Sequence, residues 1–232
     1  EKTTETFEEI GDWASQGTAD TEWVSTNTAK MRGNITTDKI DFNFDTSSTN
    51  MAIAHDLTSV SDTAWRLDAK INWSTLTAST NTGMSISLTS TSQATSVSSN
   101  ADRIVMFFKY QTGTKEFTLM DNDGTGETAQ DVNVTYTLLT DTDYYITLRR
   151  LSDVKYSGTL YADSARTIVI AEGTGTCPST VVGLRYIMIQ NRDVSSMGTM
   201  TGTVDNVRFW DGITNPVNQE VATFADDFSG TD

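Results

Sequence analysis

Thirty-one acidic side chains, sixteen basic ones, a single histidine and a single cysteine bound the chemistry of this 232-residue chain. A zinc site needs three or four Cys, His or carboxylate ligands, and a Ser-His-Asp relay needs its imidazole. Most zinc chemistry is therefore excluded, and any serine nucleophile would have to act through His55. In "MAIAHDL" His55 alternates with Met51, Ile53 and Leu57, which reads as a core histidine on an apolar strand face. Cys177 has no second cysteine with which to form an intrachain disulfide. The carboxylates show no catalytic spacing. "DNDGTGE" at 121–127 has the composition of a calcium loop but not the twelve-residue spacing and closing glutamate of an EF-hand. It reads as a hairpin turn.

Recognition is the chemistry that remains. Sugars lay their apolar faces on aromatic rings while Asn, Asp, Arg and Gln bond the hydroxyls. Trp23, Tyr110, Tyr186 and Trp210 fall outside the clearest core registers, and Arg185, Asn191, Arg192 and Arg208 stand near them in sequence. These are the candidate ligand-binding residues. A net charge of −15 repels phosphate backbones, so nucleic acid is excluded as a partner. The same excess suits solubility and hard cations. No run of apolar residues is long enough for a membrane-spanning helix, and no basic region followed by an apolar stretch opens the chain. Sequons at Asn34, Asn72 and Asn133 are candidate glycosylation sites. With the acidity and the scarcity of cysteine, they point to an extracellular or cell-surface location.

The elements that must position these residues are strands. Short alternating stretches rich in Thr, Val, Ile and aromatics recur between clusters of Asn, Asp, Gly and Ser. "DKIDFNFD" puts Ile40, Phe42 and Phe44 on one face. "AWRLDAKINW" puts Trp65, Leu67, Ala69, Ile71 and Trp73 on one face and Arg66, Asp68, Lys70 and Asn72 on the other. "DRIVMFFKY" is apolar on both faces, as a central strand should be. "TGTK" at 112–115 and "ADSA" at 162–165 supply turns, and "TSTSQATSVSSNAD" reads as a long exposed loop. The expected fold is an all-β, two-sheet antiparallel β-sandwich. One rhythm from Phe7 to Trp210 argues for a single module over residues 1–212, with residues 213–232 as a linker and tail.

"AWRLDAKINW", "YYITLRRLSDVKYSGTLYAD" and "GTVDNVRFWDG" together resemble the concanavalin A-like lectin/glucanase superfamily, in particular its laminin-G-like jelly rolls. The opening "TFEEIGDWAS" is similar to the start of related carbohydrate-binding modules. The resemblance implies a jelly roll whose first and last strands lie side by side. It also implies a structural calcium clamped there by Glu8, Glu9 and Asp205, with a role in stability rather than catalysis. The glucanases of the superfamily carry an E-x-D-x-x-E strand, and neither Glu116 nor Glu127 begins one. The expected function is non-catalytic glycan binding or adhesion, with a glycan or cell-surface polysaccharide as partner. Two alternatives stand beside it: a subunit of a surface layer or filament that binds neighbouring copies of itself, and a divergent glycoside hydrolase. "TFADDFSGTD" echoes the opening phrase, so the tail is expected either to begin a second repeat or to give a strand to a neighbour.

Overall fold

Valine, isoleucine, threonine and aromatic residues in period-two stretches produce sixteen strands in the computed structural model. It describes residues 23–27, 29–34, 39–45, 51–79, 82–91, 101–111, 114–129, 134–191, 198–212 and 224–226. The early strands are β1 (Val24–Ser25), β2 (Met31–Asn34), β3 (Lys39–Phe44), β4 (Ala52–Asp56), β5 (Trp65–Leu76) and β6 (Gly83–Thr89). The middle strands are β7 (Asp102–Gln111), β8 (Thr114–Asp123), β9 (Glu127–Ala129), β10 (Val134–Thr135) and β11 (Asp143–Ser152). The last are β12 (Lys155–Tyr161), β13 (Val169–Thr176), β14 (Tyr186–Asn191), β15 (Met200–Asp211) and β16 (Phe224–Asp226). No helix occurs among the described residues.

Two eight-stranded sheets face each other, and every pairing is antiparallel. The front sheet runs β1-β4-β14-β6-β7-β8-β10, with β9 on β8. The back sheet runs β13-β12-β11-β5-β15-β3-β2, with β16 on β15. Strands distant in sequence sit side by side, as in β4-β14-β6 and β5-β15-β3, which is the jelly-roll pattern.

The core between the sheets contains the side chains that alternation selects. Trp65, Leu67, Ala69, Ile71 and Trp73 of β5 are all buried, as are Ile40, Phe42 and Phe44 of β3. The Trp73 ring meets Phe108 edge-on at 5.6 Å, and its Nε1 donates to the Met84 sulfur at 3.3 Å. Gly158 of β12 faces inward where a Cβ would lie 2.5 Å from Leu119, so a side chain there would push the sheets apart. Arg150 is fully buried and satisfied by carbonyls, donating to Ser152 O, Val181 O and Asp153 O at 3.1, 2.7 and 2.6 Å. Burial of the charge is thereby turned into an anchor for the 177–184 segment.

Hairpins form where the turn residues fall. Asn122 pairs Glu127 across the "DNDGTG" turn, where Gly124 has φ +80°. The "ADSA" turn joins β12 to β13; of "TGTK", Thr114 and Lys115 open β8, and residues 112–113 lie outside the described residues. Within "VNVTYTLL" Val134–Thr135 form β10, and Tyr136 and Leu138 beyond it are buried in the core. The centre of "TSTSQATSVSSNAD", residues 92–100, lies outside the described residues. Of the tail, β16 pairs in cis with β15, Val207 opposite Asp226 and Phe209 opposite Phe224. The opening "TFEE" lies outside the described residues, so its pairing with β15 is not described.

Candidate functional site

Period-two alternation sends one set of front-sheet side chains away from the core, and the register lines them up across strands. Asp56 of β4 stands opposite Tyr186 of β14, Tyr186 opposite Thr89 of β6, Thr89 opposite Arg103 of β7, and Arg103 opposite Asn122 of β8. Five neighbouring strands thus carry a carboxylate, a phenol, a hydroxyl, a guanidinium and an amide in one line. At the usual ~4.8 Å between strands that line is about 19 Å long. The next row on the same face is largely apolar: Ala54, Met188, Ser87, Val105 and Met120.

The open end of the line is rigidly built. Arg185 grips Asp56 with both arms, Nε to Oδ1 at 2.6 Å and Nη2 to Oδ2. The Thr58 amide, in a left-handed turn with φ 69°, donates to the same Oδ1 at 2.7 Å. Backbone bonds from Leu57 N to Arg185 O and from Arg185 N to Thr89 O, both 2.9 Å, fix Arg185 just before β14. Its guanidinium then lies 5.3 Å over the half-buried Tyr186 ring. Further in, burial pushes the pKa of Arg103 down to about 10, which still leaves it charged at neutral pH. Asn122 Oδ1 accepts from Gly124 N at 2.8 Å and ties the row to its hairpin. Thr89, Arg103 and Asn122 are themselves buried, so the accessible groups of the row are the Arg185 guanidinium and the Tyr186 ring, a donor beside an aromatic face of the kind a polyhydroxylated ligand uses.

The residues singled out from the sequence divide between the two faces. Arg185 and Tyr186 fall together at the front-sheet row. Arg208 and Trp210 lie on the outward face of the back sheet, where the Arg66 guanidinium sits 5.5 Å over the Trp210 ring. The expectation that Trp23 offers its ring to a ligand does not hold: it is fully buried, 5.4 Å from the His55 ring. Asn191 is likewise internal, with Oδ1 accepting from Met51 N at 2.8 Å. Tyr110 is half-buried against the core, and Arg192 lies outside the described residues. Asp56, Thr89, Arg103 and Asn122 were missed because only strand register brings them into line. The one signal in sequence is that each takes a polar outward position in an alternating strand.

Calcium does not suit the donors described. Asp205 Oδ2 lies 2.6 Å from Lys70 Nζ, and its Oδ1 accepts from Asn206 N at 2.6 Å. Burial works to lower the Lys70 pKa, but the hydrogen bond and charge of Asp205, with Asp143 adding, raise it overall. A lysine so held competes directly with a cation. Glu8 and Glu9 lie outside the described residues, and among the described residues no three His, Cys, Asp or Glu side chains converge on a metal site. Of the sequons, Asn72 lies mid-strand in β5 and donates to Asp143 Oδ1 at 2.8 Å. Asn34 ends β2, and Asn133 lies outside the described residues.

No protein-family model matches the chain, and no curated protein matches it in sequence. Solved structures share its fold. A protein of unknown function from Shewanella oneidensis MR-1 superposes with a TM-score of 0.56 at 13% identity, covering 89% of this chain and 85% of that one. The exoplasmic/lumenal domain of VIP36, in its Ca2+/Man3GlcNAc-bound form, gives 0.55 at 9% identity, with 86% of each chain covered. A family 7 alginate lyase, A1-II′, in complex with product gives 0.52 at 11% identity, covering 80% and 85%. The fold is the jelly roll of the lectin/glucanase group, as the sequence motifs implied.

Proposed function

We propose that this protein is a non-catalytic glycan-recognition module that works outside the cell, and that Arg185 and Tyr186, at the accessible end of the front-sheet row, contact the sugar. The observation that carries the reading is the accessible end of that row: the half-buried Tyr186 ring under the Arg185 guanidinium, which Asp56 holds in place. Support comes from the same fold in the exoplasmic/lumenal domain of VIP36, whose structure holds Man3GlcNAc. Binding rather than hydrolysis is favoured because glycosidases work with a pair of carboxyl groups. The row has one, Asp56, and the Arg185 guanidinium occupies both of its oxygens.

A glycan array followed by titration of the best sugar tests this. Removing the ring in Tyr186→Ala should weaken binding about tenfold, equivalent to ~1.4 kcal/mol. Asp56→Ala should weaken it further by releasing Arg185. Silence across the array, or variants that bind as the parent does, would overturn the reading.

A further inference from the structure

The outward face of the back sheet carries a second constellation, chemically unlike the first. Arg66 of β5 stands directly opposite Arg149 of β11, and Arg208 of β15 directly opposite Asp68 of β5. A fourth guanidinium arrives from the β12–β13 turn. That turn is wound on Asp163, whose carboxylate accepts from Thr167 N, Ile168 N and the Thr167 hydroxyl at 2.9, 2.7 and 2.8 Å. The left-handed Arg166, at φ 55°, is thereby turned back over the sheet. It crosses the Tyr145 ring at 5.8 Å and brings Nε to 3.4 Å from Asp68 Oδ2.

Asp68 is buried and heavily committed. It takes both arms of Arg66 at 2.7 and 2.8 Å and the Thr147 hydroxyl at 2.8 Å. One carboxylate therefore holds two of the four guanidiniums, and the cluster keeps an excess of positive charge on a chain whose net charge is −15. Another acid on these strands, Asp205, is matched by Lys70. Like charges directly opposite on neighbouring strands are unfavourable, yet Arg66 and Arg149 are placed so. Burial, and the charges of Arg66 and Arg208 behind it, lower the Arg166 pKa against the pull of Asp68. The buried Ser157 hydroxyl, opposite Arg149 on β12, makes no hydrogen bond. Arg208 is exposed and makes no ion pair among the described residues.

We infer that this arginine cluster is a second binding site, for the oxyanion groups of an acidic polysaccharide. Guanidinium forks match carboxylate and sulfate oxygens two at a time. The groups are spread from β15 across β5 to β11, about 10 Å at the usual strand spacing, so a chain with repeating charges can meet more than one fork. A nucleic acid is disfavoured because the rest of the surface is strongly negative. Asp68 and Asp163 are positioning residues: the first holds Arg66 and Arg166, the second the turn that delivers Arg166.

The test is affinity electrophoresis of the full chain through polygalacturonate, dextran sulfate, neutral dextran and single-stranded DNA. Retardation by one or both acidic polymers and not by neutral dextran is expected, and the two acidic arms tell carboxylate from sulfate. Arg208→Ala, at an exposed position that should not disturb folding, should weaken the retardation at least about fivefold, with Arg208→Lys intermediate. Leu139→Ala, at an exposed position that belongs to neither site, should leave it unchanged, whereas retardation lost in Tyr186→Ala and kept in Arg208→Ala would place the polymer on the front-sheet row and overturn the inference. Equal retardation of parent and Arg208→Ala, equal retardation by neutral dextran, or stronger retardation by DNA would each overturn the inference.

Discussion

His55 sits 3% exposed on the core side of β4, and burial pushes its pKa down to about 4 even though the neighbouring Asp56 works to raise it. The unfolded chain would bind that proton with a pKa near 6.5. The contribution to stability is therefore intact above pH 6.5 and lost as pH falls through that value towards 4, where the native state must accept a charge in an apolar site. The drop should amount to about 3 kcal/mol. Chemical denaturation between pH 7 and 4 should show it, and in His55→Leu the slope over that window should flatten. An unchanged slope would mean that the acid loss arises elsewhere. His55 was legible in the sequence because its neighbours at two-residue spacing are all apolar. Asp205 was not: its partner Lys70 lies on a different strand, and "VDN" shows nothing of that contact. The same holds for Asp56, which looks like an ordinary strand-end acid until Arg185 is brought beside it.

β15 is the element in which sequence pattern and structure part company. Strict alternation would send Val204 and Asn206 inward and Val207 outward. Instead a bulge between Asp205 and Arg208 resets the register, so Val204 and Val207 both enter the core and Arg208 and Trp210 both face out. The extra residue is absorbed by Asn206 at φ 52°, a conformation that asparagine tolerates better than most. Asn206→Gly should therefore be nearly neutral, whereas Asn206→Val should cost about 1–3 kcal/mol by forcing a β-branched residue into left-handed backbone. Gly202 is stricter. A Cβ there would lie 2.0 Å from Asn72 O, so Gly202→Ala should either split β15 from β5 or lower the melting temperature sharply. A Gly202→Ala protein melting like the parent would show that β5 gives way more easily than its central place implies. The strands themselves were readable because one face of each is buried; their partners were not, since a jelly roll pairs segments far apart in the chain.

At the scale of the molecule, the two sheets leave two outward faces of different character, an uncharged-to-mixed row on the front and a guanidinium cluster on the back. That division could not be read from composition, because a net charge of −15 conceals a local excess of arginine. The tail was legible as a segment with strand character, but its pairing within the chain was not. β3 covers β15 over Met200–Val204, and β16 takes over at Val207–Phe209, so the far half of that edge depends on residues near the end. A chain stopped at Gly212 should expose those backbone groups and associate as concentration rises, where the full chain does so less. Size-exclusion chromatography of the two across a concentration series checks this, and identical elution would show that the edge needs no cover. The placement of β16 also sets a timetable. While the chain is being made, the seam beside Val207–Phe209 has no companion until Phe224–Asp226 have left the ribosome, so this edge of the sandwich cannot be zipped shut before that point.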